Sequence, residues 1–212
     1  MNVLRNPLVQ QLMFTSRLFR HPLDSMYDLR YRQRGSVLSA SILLLALYVV
    51  MVFDIATTNF QFNLLGLQST GPGQLAVYVF VPFFVWVTAN YLVSSIAHGQ
   101  GRLQDVFISA AYAMTPLIYL FPIIAVASHA LTLEEVVIYG FLRSLTIGWS
   151  VYLGFVHVMV VHQYDVGETV SVILWTFFTM AMMGLFGATL VMITIQSANF
   201  LFEVFLEATL FI

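Results

Sequence analysis

The residue with the clearest capacity for chemistry is Arg143, the only charge in an otherwise apolar run over residues 136–161. A guanidinium held among apolar side chains marks an ion path or a substrate counter-charge by default. Arg143 lies nine residues after Glu134, near one end of that run. Snorkelling to an interface, or pairing with an acidic group there, is therefore the simpler account. Coupling to protons or ions would need buried acidic partners, and no Asp or Glu falls in the interior of an apolar run. Acidic residues do stand at the mouths of two runs. Thr132 is followed three residues later by Glu135, and Asp165 likewise by Glu168. An ion site at each mouth is one reading, but capping of free N–H groups at a helix start explains the spacing fully.

The other chemical constellations are thin. His98, His129, His157 and His162 are scattered, and the last two, five apart, do not share a helix face as metal ligands three or four apart would. They read as interfacial polar residues. The chain has no cysteine, so disulfides, thiol catalysis and thiolate metal sites are excluded. No zinc-protease His pair, phosphate-binding glycine loop or serine-nucleophile turn is present. Eight arginines, with no lysine, are too few to follow a phosphate backbone, so nucleic acid is not an expected partner. No enzyme activity, metal or cofactor is expected.

The elements that must position these residues are membrane spans. Of 212 residues 60% are hydrophobic and 8% are charged, against roughly 25% charged in a soluble domain. A soluble fold could not cover its surface with so few charges. A bilayer core of about 30 Å takes roughly 20 apolar residues in helix. Runs at 35–53, 75–97, 106–128, 136–161 and 169–202 meet that length. Hydrocarbon offers backbone groups no partner, so each run reads as a helix. The expected architecture is an all-α membrane bundle of five spans over residues 35–195. A cytoplasmic amphipathic arm (1–34) precedes it and an interfacial helix (196–212) follows. Gln196, Ser197 and Asn199 mark the expected break, and Glu203 and Glu207 would share one face of the tail. Seven arginines lie before the first span or in the loop between spans two and three, whereas loops 54–74 and 129–135 carry none. The positive-inside rule then places the N-terminus in the cytoplasm and the C-terminus outside. No cleavable signal peptide is expected in the arginine-bearing first 34 residues.

In the arm, Asn6-Pro7 reads as a helix start, with Leu8, Leu12 and Phe19 on one face. A second helix from His21-Pro22 would present Leu23, Met26 and Tyr27 on its apolar face. Asp24, Asp28 and Arg32 recur every four residues on the other, so Asp28 and Arg32 can pair. Arg30 and Arg34 complete a basic juxtamembrane segment facing anionic lipid. Within the spans, Gly140, Ser144 and Gly148 repeat every four residues, with Ser150 and Gly154 continuing the spacing. Gly184 with Ala188, and Ser109 with Ala113, do the same. Such stripes let helix backbones approach closely. Packing within the chain is the simpler expectation, and a surface for a second membrane protein is the functional one. Pro116 and Pro122 should bend the third span and free carbonyls. Asn90, Thr115 and Ser144 are the few polar residues that could line a solute path.

Four segments together resemble the Yip family of membrane proteins, specifically its short prokaryotic members. They are residues 21–36 (HPLDSMYDLRYRQRGS), 99–116 (GQGRLQDVFISAAYAMTP), 131–135 (LTLEE) and 161–168 (VHQYDVGE). Their order and placement around five spans carry the match from residue 21 to the fifth span. The resemblance implies a five-span helical domain with a cytoplasmic N-terminus and no catalysis. Eukaryotic relatives act in vesicle traffic at the ER and Golgi and bear a longer cytosolic N-terminal region. Without that extension, GTPase binding is not expected here. The expected membrane is the plasma or inner membrane for a prokaryotic chain, and the ER or Golgi for a eukaryotic one. From the residues alone, Gly99, Gly101, Asp105 and Pro116 read as a tight loop, a helix start and a kink.

The leading expectation is a non-enzymatic membrane scaffold whose partners are the bilayer and other integral membrane proteins. One concrete form is an accessory subunit of a multicomponent importer such as an ABC-type transporter. A small transporter or channel is the alternative, and a membrane-shaping protein acting through arm and tail is the third.

Overall fold

A computed structural model describes residues 7–62 and 70–210, with side chains through Val204. Asn6 and the Glu207 side chain lie outside this described set. Among the described residues there is no strand. Three short helices, α1 (Pro7–Met13), α2 (Thr15–Leu18) and α3 (Pro22–Tyr31), form the arm. They lead into α4 (Val37–Thr57) and α5 (Pro72–Ile96). The third span is divided into α6 (Leu103–Ala113) and α7 (Thr115–Ala127), and α8 (Val136–His162) and α9 (Val166–Leu210) complete the chain. Five helical units are long and apolar enough to cross a membrane.

Helix ends follow local chemistry. Ser36 caps α4 through a reciprocal pair: its Oγ accepts from the Ser39 N–H at 3.1 Å, and its own N–H donates to Ser39 Oγ at 2.9 Å. The two acid pairs act as caps. The Thr132 N–H donates to Glu135 Oε2 at 2.9 Å, and the Asp165 N–H to Glu168 Oε2 at 3.1 Å. The division of the third span at Met114 follows from Pro116, which has no N–H to offer the carbonyl of Tyr112 four residues earlier. The Thr115 hydroxyl donates to that carbonyl. The carbonyl that Pro116 cannot serve therefore keeps a donor, as hydrocarbon requires. Pro122 is carried inside α7.

The arm is built into the bundle. Phe14, Leu18, Met26 and Leu29 are buried in one cluster with Leu43, Tyr112, Leu153 and Val156 of α4, α6 and α8. The Tyr112 hydroxyl donates to the Gln11 carbonyl at 3.1 Å, and Thr15 and Tyr119 share a hydrogen bond of 2.8 Å. The buried face of α3 is Ser25, Met26, Asp28 and Leu29, whereas Leu23 and Tyr27 are exposed. The expected apolar face is thus rotated: the wall of α6 and α8, rather than lipid, selects which residues turn inward.

Helix α9 differs from the expected pattern in extent. It continues through Gln196, Ser197 and Asn199 without a break. Residues of moderate helix propensity do not end a helix when continuation satisfies every backbone group. The boundary expected at residue 196 is therefore not a helix end. At about 1.5 Å per residue α9 is about 68 Å long, roughly twice the hydrocarbon thickness. No described side chain from Gly184 through Val204 is buried.

Candidate functional site

Two polar assemblies anchor the bundle at opposite ends. At the end away from the arm, Asp54 and Arg143 meet. Arg143 Nη1 donates to Asp54 Oδ1 at 2.9 Å and to Oδ2 at 3.0 Å, and Nη2 donates to Oδ2 at 3.0 Å. Nη1 also donates to the hydroxyl of Tyr139, one turn earlier on α8, at 3.0 Å. The guanidinium lies 4.3 Å from the ring centroid of Phe121 on α7, within cation–π range. Asp54 falls in the last turn of α4, where the helix dipole disfavours a negative charge. Arg143 offsets that penalty and ties α4, α7 and α8 together. Reading the loop as starting at Asp54 placed this carboxylate one turn too far out. The pairing itself is the simpler of the two accounts given for Arg143. Close by, the Asn59 N–H donates to Ser128 Oγ at 3.0 Å.

At the arm end a layer of polar side chains lies inside the protein. Asn90 of α5 is fully buried, with Oδ1 3.2 Å from His162 Nε2 and Nδ2 3.4 Å from Thr176 Oγ1 of α9. His162 stacks on Tyr164 with ring centroids 5.5 Å apart. The Tyr164 hydroxyl lies 3.3 Å from the carbonyls of both Ser94 and Ala97. Burial holds that hydroxyl above its ordinary pKa, and the hydrogen bond to Ser94 pulls the other way. His157 is also fully buried, and neither ring nitrogen has a hydrogen-bond partner among the described residues. The expectation that these two histidines are interfacial is corrected: 157 and 162 do not share a face of α8, but both are buried inside the protein, His162 against Asn90 of α5.

The glycines of the 97–102 loop fit against this layer. A Cβ at Gly99 would lie 2.5 Å from the Tyr164 hydroxyl and 2.7 Å from His162 Nδ1. A Cβ at Gly101 would lie 2.7 Å from His162 Cε1 and from Val161 Cγ1. The loop can therefore touch the two rings only because it has no side chains there. Arg30 Nη2 of α3 donates to the Gln100 carbonyl at 2.9 Å. Residues from three of the four segments that carry the sequence resemblance, Arg30, Gly99–Gly101 and His162–Tyr164, thus meet at one junction. Asp105 caps α6 beside it, accepting from the Arg102 N–H at 3.2 Å. Replacing Gly101 with Ala should cost about 1–3 kcal/mol through overpacking, read as a lower unfolding midpoint in detergent. Gly73→Ala, with nothing within 4 Å of its Cβ position, should leave the midpoint unchanged or raise it.

The small-residue stripes divide into two kinds. Ser109 and Ala113 are buried and do serve packing within the chain. Gly140, Ser144, Gly148, Gly184 and Ala188 are exposed, and Gly154 is half-buried. Around Gly140, Gly148, Gly154 and Gly184 nothing lies within 4 Å of a built Cβ. The inward seam of α8 is instead Tyr139, Arg143, Thr146, Ser150, Leu153 and His157, alternating steps of four and three. That spacing keeps one face inward, whereas steps of four drift around the helix. Simple packing within the chain is therefore not what the 140–148 stripe does. In the arm, Asp28 is paired with Arg17, Arg32 and Arg34, and Asp24 is exposed. Among the described residues no three His, Asp or Glu side chains are grouped to hold a metal ion.

Neither a curated protein nor a solved structure matches the chain. The Yip1 domain matches residues 16–189, from the second arm helix through about the first half of α9, and takes in both polar anchors. The chain is a multi-pass membrane protein that belongs to the Yip1 domain family.

Proposed function

We propose that the protein is a non-enzymatic membrane scaffold that holds a second integral membrane protein against the outer face of α8. The observation that carries this reading is the backbone groove at Gly140, Ser144 and Gly148, which faces away from the bundle and is covered by none of the described residues. Lipid tails gain little from such a groove. A partner helix gains close backbone approach and extensive dispersion contact. Val137, Phe141, Leu145 and Val151 flank it as exposed ridges. The two polar anchors support the same reading, because they fix α8 rigidly against α4, α5 and α7. An accessory subunit of a multicomponent transporter, of the ABC type for example, is one form such a scaffold takes. Full-length protein extracted in mild detergent at native expression should carry a second membrane polypeptide in fixed ratio. Migration alone under conditions that preserve known membrane complexes contradicts the proposal.

One observation favours a small transporter as the second reading. The inward seam of α8 carries Arg143, Thr146, Ser150 and His157 along its length, more polar than packing needs. Reconstituted into liposomes, a transporter would show solute or ion flux that His157→Leu or Arg143→Ala abolishes.

A further inference from the structure

The arm gathers more positive charge at one point than its own carboxylate can balance. Asp28 is nearly fully buried, and three arginines from different parts of the arm surround it. Arg17 of α2 lies at 3.5 Å, Arg32 at the end of α3 at 3.4 Å, and Arg34 in the link to α4 at 3.7 Å. Three guanidinium charges against one carboxylate leave two positive charges in excess. These separations exceed the roughly 2.7–2.9 Å of a strong charge-assisted hydrogen bond. Asp28 therefore saturates none of the three forks, each of which has five N–H donors. The arginine side chains are 45%, 63% and 44% exposed, so all three are open to an outside ligand.

The cluster is also held in place. The Arg17 and Arg34 guanidiniums lie 6.0 and 5.6 Å from the ring centroid of one aromatic residue, the buried Phe14. Arg34 is further fixed because its N–H donates to the Asp28 carbonyl at 3.5 Å. Keeping a cytoplasmic arm in place by charge asymmetry would be served equally by scattered arginines. Convergence of three on one buried carboxylate leaves mutual repulsion that Asp28 offsets in part and an added anion would relieve further. Depth fits as well. Gly35, next to Arg34, packs against Ile108 and Tyr112 at the foot of α4, where the span begins and headgroups lie.

We propose that Arg17, Arg32 and Arg34, positioned by Asp28 and Phe14, form a binding site for a phosphate oxyanion. The shared chemistry is a phosphate bearing at least one negative charge and several acceptor oxygens. Its source is either the headgroup of an anionic lipid or a soluble phosphate compound.

The test uses the full chain in a neutral detergent with three probes: dioctanoyl phosphatidate, dioctanoyl phosphatidylcholine and inorganic pyrophosphate. Phosphatidate should bind, and phosphatidylcholine should not. Arg17→Gln with Arg34→Gln should weaken binding roughly tenfold or more, whereas Arg102→Gln, an arginine of the same end outside the cluster, should leave it unchanged. Asp28→Asn removes the competing carboxylate and should tighten binding. If either that variant or the double variant fails to fold, Arg32→Gln, the most exposed of the three, carries the comparison with Arg102→Gln. Binding of phosphatidate with no response to pyrophosphate assigns the lipid source. Binding of pyrophosphate alone assigns the soluble one. No binding of either probe, or an equal loss in Arg102→Gln, overturns the site.

Discussion

Arg143→Ala should lower the unfolding midpoint of the detergent-solubilised protein more than any single truncation on the lipid-facing surface. The substitution strips Asp54 of three hydrogen bonds at 2.9–3.0 Å and leaves, among the described residues, the Thr58 hydroxyl at 3.4 Å. A carboxylate buried in the last turn of α4 then faces the negative end of its own helix without a counter-charge. Breaking one side of such a pair costs about 3–5 kcal/mol. The loss of the Phe121 contact, at 4.3 Å, adds to it. The double change Asp54→Asn with Arg143→Met removes both charges and keeps apolar volume, so it should recover most of the midpoint. A double variant as unstable as Arg143→Ala would show that the residues act separately.

The second large effect is on association rather than on folding. Gly148→Leu places its Cβ where no described atom lies within 4 Å, on the exposed face of α8. The isolated chain should therefore fold as before, and a helical Gly replaced by Leu gains somewhat in propensity. A partner helix seated in the groove would meet the new side chain directly, at an overpacking cost of about 1–3 kcal/mol. Recovery of the partner should fall about tenfold or more while the unfolding midpoint holds. The two readouts move independently only if the groove is used by another molecule. Gly101→Ala supplies the opposite pattern, with a lower midpoint and an intact groove.

The five spans were legible in the sequence because their signal is large: a long uncharged run has no other stable environment than lipid. The kink before Pro116 and the two acid caps were legible too, since each follows from a missing N–H or an unpaired one. Depth and rotation were not. Whether Gly140 or Thr146 faces inward depends on where α7 and α6 lie, and a period of four alone does not choose a side. The partner of Arg143 was hidden because Asp54 reads as the first loop residue when an apolar run is ended at its first charge. The polar layer left almost no sequence signal. Asn90, His157, His162 and Tyr164 come from separate elements and converge only through packing. The one local clue was Gly99 and Gly101, whose spacing marks a loop that must approach something closely. The unbroken course of α9 was missed because Gln, Ser and Asn were read as helix breakers.

A scaffold of this kind requires that the groove on α8 be occupied by another protein. Placing a photoreactive phenylalanine analogue at Ser144, on the exposed stripe, and at Val77, on the exposed face of α5, tests it in native membranes without extraction. Illumination should yield a cross-link to one discrete membrane polypeptide from position 144 and only lipid adducts from position 77. Lipid adducts alone from both positions would contradict occupancy of the groove by a protein.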